Sequence, residues 1–324
     1  MKTIDEIPQD LIDLIERSDS LAILSHKNSD GDSLGSVIAL ERALTKIGKH
    51  IHIPAPTTFP QRYSFMQKYS NGWGNVPNKI DAIITLDCST LDRIDWGEFQ
   101  RPEGIPLANI DHHDGNQNFG DINWVKPSAA AAGVLVYKLI RSLDVPIDKE
   151  TASALYVAIM TDTGRFSFSN TNPDALKIAG ELIEFGAEPK YLTTEVYFNF
   201  SEGYMRNIGI ALFNSRSFHR GRILFLTLDR ATMRSFSTSP DDSEGIIDFA
   251  MSVRNVDVAA LFKEITSNKI RVSLRSRRGI NVAKVAEHFG GGGHPNAAGC
   301  TISGNLVMAQ TAVLENIRKL LGYR

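Results

Sequence analysis

From the N-terminus to Gly186, short apolar runs alternate with stretches of helical periodicity. Residues 21–25 (LAILS) read as a buried strand, and apolar positions at Val37, Leu40, Leu44 and Ile47 then recur at helical spacing over 33–47. Residues 51–53, 81–86 and 107–110 give three more strands, and 129–143 and 149–160 two more helices. Strands alternating with helices predict an α/β fold, a doubly wound, mostly parallel sheet with helices on both faces. In such folds ligands gather at the carboxyl ends of the strands. After Phe185-Gly186 the pattern changes. Residues 189–214 read as helical, 222–228, 256–265 and 269–277 as strands, and 241–251, 281–289 and 306–321 as helices. The chain thus divides into a catalytic domain over 1–187, a helical connector over 188–214 and a smaller α+β domain over 215–324. No internal repeat is visible, and Gly290 to Gly293 is the one low-complexity tract.

With 324 residues, 42% hydrophobic and 22% charged, the chain has the balance of a globular protein and not that of a disordered tail or a fibre. Thirty-five Lys and Arg against 37 Asp and Glu leave a net charge of −2, so no global cationic field draws in a long polyanion. Phosphate binding, if present, is local. Cys88 and Cys300 form neither a metal-ligand pair nor a disulfide framework, which fits a reducing cytoplasm. The first 19 residues lack a secretory layout, and the longest apolar stretch, 129–137, is alanine-rich and too short to span a bilayer. The expectation is a cytoplasmic protein without a membrane partner.

The chemistry lies in where carboxylates and histidines fall. The first strand ends in His26-Lys-Asn-Ser-Asp30-Gly-Asp32, the third in Asp87-Cys88, the fourth in Asp111-His112-His113, and the helix 149–160 in Thr161-Asp162-Thr163-Gly164. A lone Asp after a strand is usually a turn former or a helix cap, and Asp32 or Ser33 is placed to cap the next helix. A lone His is more often satisfied or exposed than a ligand. Four such segments at one sheet edge outweigh that reading. His26, Asp30, Asp32, Asp87, His112 and Asp162 are more ligands than one ion needs, and the carboxylates would repel one another without cations. Two divalent ions roughly 3.5–4 Å apart would resolve the repulsion and clamp a phosphate for in-line attack. Carboxylate and imidazole without thiolate point to manganese, with magnesium or cobalt as substitutes.

In this order and spacing, H-x-x-x-D-x-D, L-D, D-H-H and T-D-T-G resemble the signature motifs of the DHH phosphoesterase superfamily. Its members include RecJ-type exonucleases, family II inorganic pyrophosphatases, exopolyphosphatases and nanoRNase/pAp phosphatases. The resemblance implies one metal on His26, Asp30 and Asp87 and another on Asp32, Asp87, His112 and Asp162, with Asp87 bridging both. It implies that His113 sits beside the scissile phosphate and that Asp111 orients the histidines.

In the second half, strand 269–277 alternates: Ile270, Val272 and Leu274 face one side, and Arg271, Ser273, Arg275 and Arg277 the other. Guanidiniums and a hydroxyl on one face suit phosphate as well as they suit a solvated edge. The helix 281–289 then runs into Gly290-Gly291-Gly292-Gly293-His294, where one glycine would suffice for a C-cap. Four leave bare N–H groups that an anion can approach; a plain flexible loop is the commoner meaning, but the following His294 and the small Ala297 and Ala298 favour a tight binding surface. S-L-R-S with G-G-G-G-H-x-x-A-A-G resembles the substrate-binding domain of nanoRNase/pAp phosphatases and RecJ-like enzymes. By that similarity Arg275, His294 and the Gly291–Gly293 backbone hold a terminal phosphate or nucleotide, with Arg271 and Ser273 beside them. A cleft between two small domains, without a long basic track, implies very short oligoribonucleotides, pAp or dinucleotides as substrate and no stable complex with long nucleic acid. A homodimer is left open. For base stacking the candidates are Phe166, Phe168 and Phe200, each of which also suits a core.

Other readings carry less. Gly31-Asp32-Ser33-Leu34 matches the GDSL esterase tetrapeptide and would make Ser33 a nucleophile, but no Asp precedes a His by three positions to complete such a site. No H-E-x-x-H or G-x-x-x-x-G-K-[ST] occurs. A nucleotide sensor without turnover would gain nothing from a bridging Asp87. Cyclic or linear dinucleotides, pyrophosphate and polyphosphate are the competing substrates, and buried packing is the expected role of Cys88.

Overall fold

The computed structural model describes residues 7–323 other than 57–58, 75, 78, 239–242, 244 and 278. Contacts divide the chain into two compact units, 1–199 and 200–324.

The first unit contains α1 (Gln9–Arg17), β1 (Ser20–Leu24), α2 (Gly31–Lys46), β2 (His50–His52), β3 (Ala82–Leu86), β4 (Leu107–Asp111), β5 (Ile122–Val125), α3 (Ala132–Ser142), α4 (Lys149–Asp162), α5 (Pro173–Glu184) and α6 (Pro189–Tyr197). Its five strands lie in the order β2-β1-β3-β4-β5, and every pairing is parallel. The carboxyl ends of β1, β3 and β4 are therefore neighbours, as the alternation of strands and helices required. β3 and β4 are buried throughout, which is why they read as unbroken apolar runs. β5 was not foreseen: it is a half-exposed edge strand, Ile-Asn-Trp-Val, with no apolar run to announce it.

α2 is buried over most of its length and lies against α4. Two glycines one turn apart make the approach possible. A Cβ on Gly31 would stand 2.4 Å from Thr161 Oγ1, and one on Gly35 would stand 2.4 Å from the Ala154 carbonyl oxygen. At the start of α4, Asp148 caps the helix by accepting the Thr151 N–H at 2.8 Å, and it pairs with Arg42 (2.7 Å) and Lys46 (2.9 Å) from α2.

The second unit contains α7 (Glu202–Phe213), β6 (Arg216–Phe218), β7 (Ile223–Leu228), α8 (Arg230–Ser235), α9 (Ile246–Met251), β8 (Val258–Thr266), β9 (Lys269–Ser276), α10 (Ala283–His288), β10 (Gly292–His294), β11 (Ala297–Ser303) and α11 (Leu306–Leu320). The mixed sheet runs β10-β11-β9-β8-β7-β6, with β7 and β8 parallel and the other pairings antiparallel. Ile270, Val272 and Leu274 of β9 join one core with residues of α10 and α11, while Leu261, Leu226 and residues of α7 and α9 form another. The helix expected over 241–251 is α9, and residues 241–242 and 244 lie outside the described ones.

The glycine run is not the plain flexible loop that such runs commonly are. Gly290, at φ +71°, ends α10, and the Gly291 N–H is donated to the Ala286 carbonyl at 2.9 Å. Gly292 to His294 then form a strand on β11. A Cβ on Gly291 would stand 2.2 Å from the Gly299 oxygen, and one on Gly293 would stand 2.5 Å from the Ala297 oxygen. These glycines serve close backbone packing, a cause that composition does not distinguish from flexibility. Among the described residues no helix is long and apolar enough to cross a membrane.

Two expectations follow from the α2–α4 contact. Gly35→Ala should cost roughly 1–3 kcal/mol, since the new methyl meets backbone and cannot be relieved by a rotamer change; chemical denaturation measures it, and an unchanged midpoint would refute the close approach. Burial opposes ionisation of Asp148, but hydrogen bonds from Arg42, Lys46 and Thr151 outweigh it and hold the carboxyl well below the usual carboxylate range. Its contribution is therefore complete above the unfolded pKa, about 3.9, and is lost as pH falls through the depressed folded value. Asp148→Asn should destabilise by about 2 kcal/mol at neutral pH. The gap to the parent should close in acid, whereas a gap that persists there would show that charge is not its source.

Candidate active site

β1, β3 and β4 each deliver their last or next residues to the same edge of the sheet. Beyond β1, His26 donates its Nδ1–H to the Lys27 carbonyl at 2.8 Å, which turns Nε2 toward Asp87 (3.4 Å) and Asp30 (3.8 Å). Asp30, and not Asp32 or Ser33, caps α2. Its Oδ1 accepts the N–H groups of Asp32 (3.1 Å) and Ser33 (3.0 Å), while Ser33 Oγ accepts the Asp30 N–H at 2.9 Å. The capping box leaves Oδ2 of Asp30 facing His26. It also keeps Ser33 buried and engaged, so the GDSL tetrapeptide offers no exposed nucleophile.

Asp32 points the other way, into the N-terminus of α3. Its carboxylate accepts the N–H groups of Ala132 (2.6 Å) and Gly133 (2.8 Å) and the Ser36 hydroxyl (3.1 Å). α3 has no side-chain cap of its own, so Asp32 satisfies those donors from a distance in sequence. Asp87 follows β3 with φ +58°, a left-handed conformation that an aspartate adopts at some cost. After β4, His113 donates Nδ1–H to Asp111 at 2.7 Å, and Asn116 donates to the other oxygen of Asp111 and to the Cys88 carbonyl. Asp162 ends α4, where Asn170 donates to it at 3.2 Å.

Three overlapping groups result. His26, Asp30 and Asp87 form one, Asp32, His112 and Asp162 a second, and Asp87, Asp111, His112 and His113 a third, with ligand atoms within 4.8 Å in each. All eight residues singled out at the strand ends and at the end of α4 are thus brought together, and Asp87 borders both candidate metal positions. Electrostatics carries the same message. Burial first, then Asp87 and Asp162, push the Asp32 carboxyl well above its usual range. Burial, with the charges of Asp87 and Asp30, pushes Asp162 up to about 6 against the pull of His112. Burial alone would lower the pKa values of His26 and His112, yet the carboxylates around them raise each to about 10. The carboxylates thus draw positive charge toward this edge, which divalent cations would supply. The donor set fits such ions: oxygen and imidazole nitrogen only, with Asp87 Oδ1 buried and without a hydrogen-bond partner.

Cys88 is buried among Ala22, Leu24, Ile83 and Ile94, and burial pushes its thiol up, consistent with packing. Of the stacking candidates, Phe166 meets Tyr156 edge-on in the core, Phe200 stacks on Tyr204, and Phe168 is exposed. In the second unit, Arg275 lies opposite Ala297 of β11 and pairs with Asp248 of α9 at 3.4 Å; Ser273 is half-buried and Arg271 exposed. Gly292, Gly293 and His294 pair with Gly299, Ala298 and Ala297. The side chain of His294 lies outside the described residues. Sequence reasoning missed Asn116, Asn170 and the α3 N-terminus. Only Asn116, in a short polar loop three residues beyond His113, carried a usable signal.

Residues 20–159 match the DHH family, N-terminal domain, and residues 222–322 match the DHHA1 domain. A bifunctional oligoribonuclease and PAP phosphatase NrnA of Thermus thermophilus is 34% identical, covering 92% of this chain and 89% of its own length. The protein of the same description in Bacillus subtilis is 27% identical over 90% of this chain and 92% of its own. The crystal structure of an exopolyphosphatase-related protein from Bacteroides fragilis superposes with a TM-score of 0.87, at 28% identity and 97% coverage of both chains. The chain belongs to the DHH phosphoesterase family, metal-dependent hydrolases, and is of the type that carries a DHHA1 domain.

The crowding of carboxylates makes a prediction that needs no substrate. Asp162→Asn removes a repelling charge, so the metal-free protein should be no less stable at neutral pH. The rise in thermal midpoint on adding manganese should shrink markedly. A variant that keeps the full manganese-induced rise would exclude Asp162 from the ligand set.

Proposed function

We propose that the enzyme hydrolyses very short oligoribonucleotides to nucleoside 5′-monophosphates and removes the 3′-phosphate of pAp. The observation that carries this reading is the chain of three ligand groups linked through Asp87 and His112, which lie 3.4 Å apart, with the His113–Asp111 pair among them. His26, Asp30 and Asp87 would hold one ion and Asp32, Asp87, His112 and Asp162 the other, with manganese the proposed metal. Bound there, the ions supply an activated water and charge stabilisation at phosphorus. Attack by water breaks the P–O3′ bond, so a diribonucleotide bearing a 5′-phosphate yields two 5′-monophosphates, and pAp yields AMP and phosphate. The hydrogen bond to Asp111 raises the pKa of His113 and keeps its ring oriented, so His113 is suited to stabilise the phosphate or to protonate the leaving 3′-oxygen. Asp111 stays ionised because the His113 and Asn116 hydrogen bonds outweigh its burial.

Substrate anions would be held in the second unit by Arg275, with Arg271 and Ser273 on the same strand face and Gly292, Gly293 and His294 two strands away, whereas the Gly291 N–H, expected to take part, is committed to the Ala286 carbonyl. The names of the Thermus and Bacillus relatives support short RNA and PAP as the substrate class. Both cysteines are free and buried, which suits a cytoplasmic enzyme.

Turnover with manganese should be highest on a 5′-phosphorylated diribonucleotide and pAp, and low on long RNA, a cyclic dinucleotide and pyrophosphate. Asp87→Ala should abolish it while the far-ultraviolet dichroism is kept, and Arg275→Ala should act mainly on KM. A preference for pyrophosphate or the cyclic dinucleotide would overturn the substrate assignment. Tight nucleotide binding without any turnover would make the protein a sensor.

A further inference from the structure

Directly after Asp162 the backbone enters an uncommon conformation. Gly164, Arg165 and Phe166 take φ values of 55°, 60° and 61° in succession. That region is free to glycine but costs an arginine or a phenylalanine roughly 1–2 kcal/mol each. Hydrogen bonds hold the turn: Gly164 N–H to the Thr161 carbonyl (3.0 Å), Arg165 N–H to the Met160 carbonyl (2.8 Å) and Phe166 N–H to Thr163 Oγ1 (3.2 Å). Its effect is to send neighbouring side chains in different directions. Phe166 packs inward against Tyr156, and Arg165 remains exposed with its guanidinium 4.9 Å from the centre of the Tyr197 ring.

Arg62 approaches the same ring at 5.9 Å. Among the described residues no carboxylate lies within ion-pair distance of Arg165. Two guanidiniums thus converge on one half-buried ring, a local concentration of positive charge that an anion would relieve. Arg165 follows Asp162, the candidate ligand at the end of α4, by three residues, so the cluster belongs to the unit that carries the carboxylates.

We propose that Arg165, braced on Tyr197 and accompanied by Arg62, is the subsite for the nucleotide beyond the scissile phosphate of an oligoribonucleotide, the portion of that substrate that pAp lacks. The inference rests on the function proposed above and deepens it. An exposed guanidinium 4.9 Å from the centre of a ring keeps N–H donors for a phosphate and a planar cation for stacking on a base. The groups proposed in the second unit serve the nucleotide that both substrates share. Arg165 belongs to the unit that carries the metal ligands, three residues from Asp162, so its reach from the reacting phosphorus is set by that unit's own fold.

Arg165→Asn tests this, because asparagine tolerates the left-handed backbone while removing the charge; Arg165→Lys keeps the charge and loses the plane. The full chain is assayed with manganese on a 5′-phosphorylated diribonucleotide and on pAp. The ratio of the two kcat/KM values should fall about tenfold or more in Arg165→Asn, mostly through KM, and less in Arg165→Lys. As a ratio within one preparation, it is not moved by partial misfolding. An unchanged ratio, whether both rates hold or both fall together, would overturn the subsite. A parent chain that turns over neither substrate would overturn the underlying function, and the inference with it.

Discussion

The carboxyl edge of the first sheet depends on how near α2 can come to α4. Gly31 and Gly35 remove the side chains that would hold these helices apart, and the gap left is too small for a single methyl group at either position. That contact sets Asp32, near the start of α2, against Asp162, at the end of α4, although 130 residues separate them in sequence. Gly133 continues the scheme on α3, where a Cβ would stand 2.7 Å from that of Ala158. Three helices meet through backbone and small side chains, and the N–H groups at the start of α3 fall on the Asp32 carboxylate.

Concentrating acids there conflicts with stability, and the resolution is written into the surroundings of each one. Asp87 and Asp111 have partners that favour the ionised form, whereas Asp32 and Asp162 are driven toward the neutral form by burial and by their neighbours. Folding a site that repels itself is tolerated because the strands and helices beneath it are buried almost throughout. The strained backbone at Asp87 belongs to the same compromise. It is held by the Asn116 hydrogen bond to the next carbonyl, which ties the turn after β3 to the Asp111–His113 pair.

Most of this was legible in the sequence because one rule did the sorting. In a parallel sheet, polar residues that directly follow apolar runs converge, and His26, Asp30, Asp32, Asp87, Asp111, His112 and His113 all obey it. Asp162 was found by the same logic applied to a helix end. What escaped depended on long-range partners or on close alternatives. The capping role of Asp30 was assigned to its neighbours because several nearby positions can each cap, and Asn170 gave no sign of reaching Asp162. β5 lacked an apolar run. The glycine run was ambiguous, since a residue without a side chain serves close packing and flexibility alike, and only β11 against Gly291 and Gly293 decides between them. Arg165 and Tyr197, 32 residues apart, carry no shared pattern.

Asp30 has a consequence of its own. One of its oxygens accepts the first amides of α2 while the other faces His26, so a single side chain is shared between a helix end and a candidate ligand group. An ion drawn to the second oxygen would withdraw electron density from the first and weaken its grip on the amides, while fixing the rotamer that makes the grip possible. Solvent exchange of the Asp32 and Ser33 amide protons therefore becomes a local gauge of occupancy. The opening turn of a buried helix would report, in backbone spectra alone, whether the enzyme is charged with its metal.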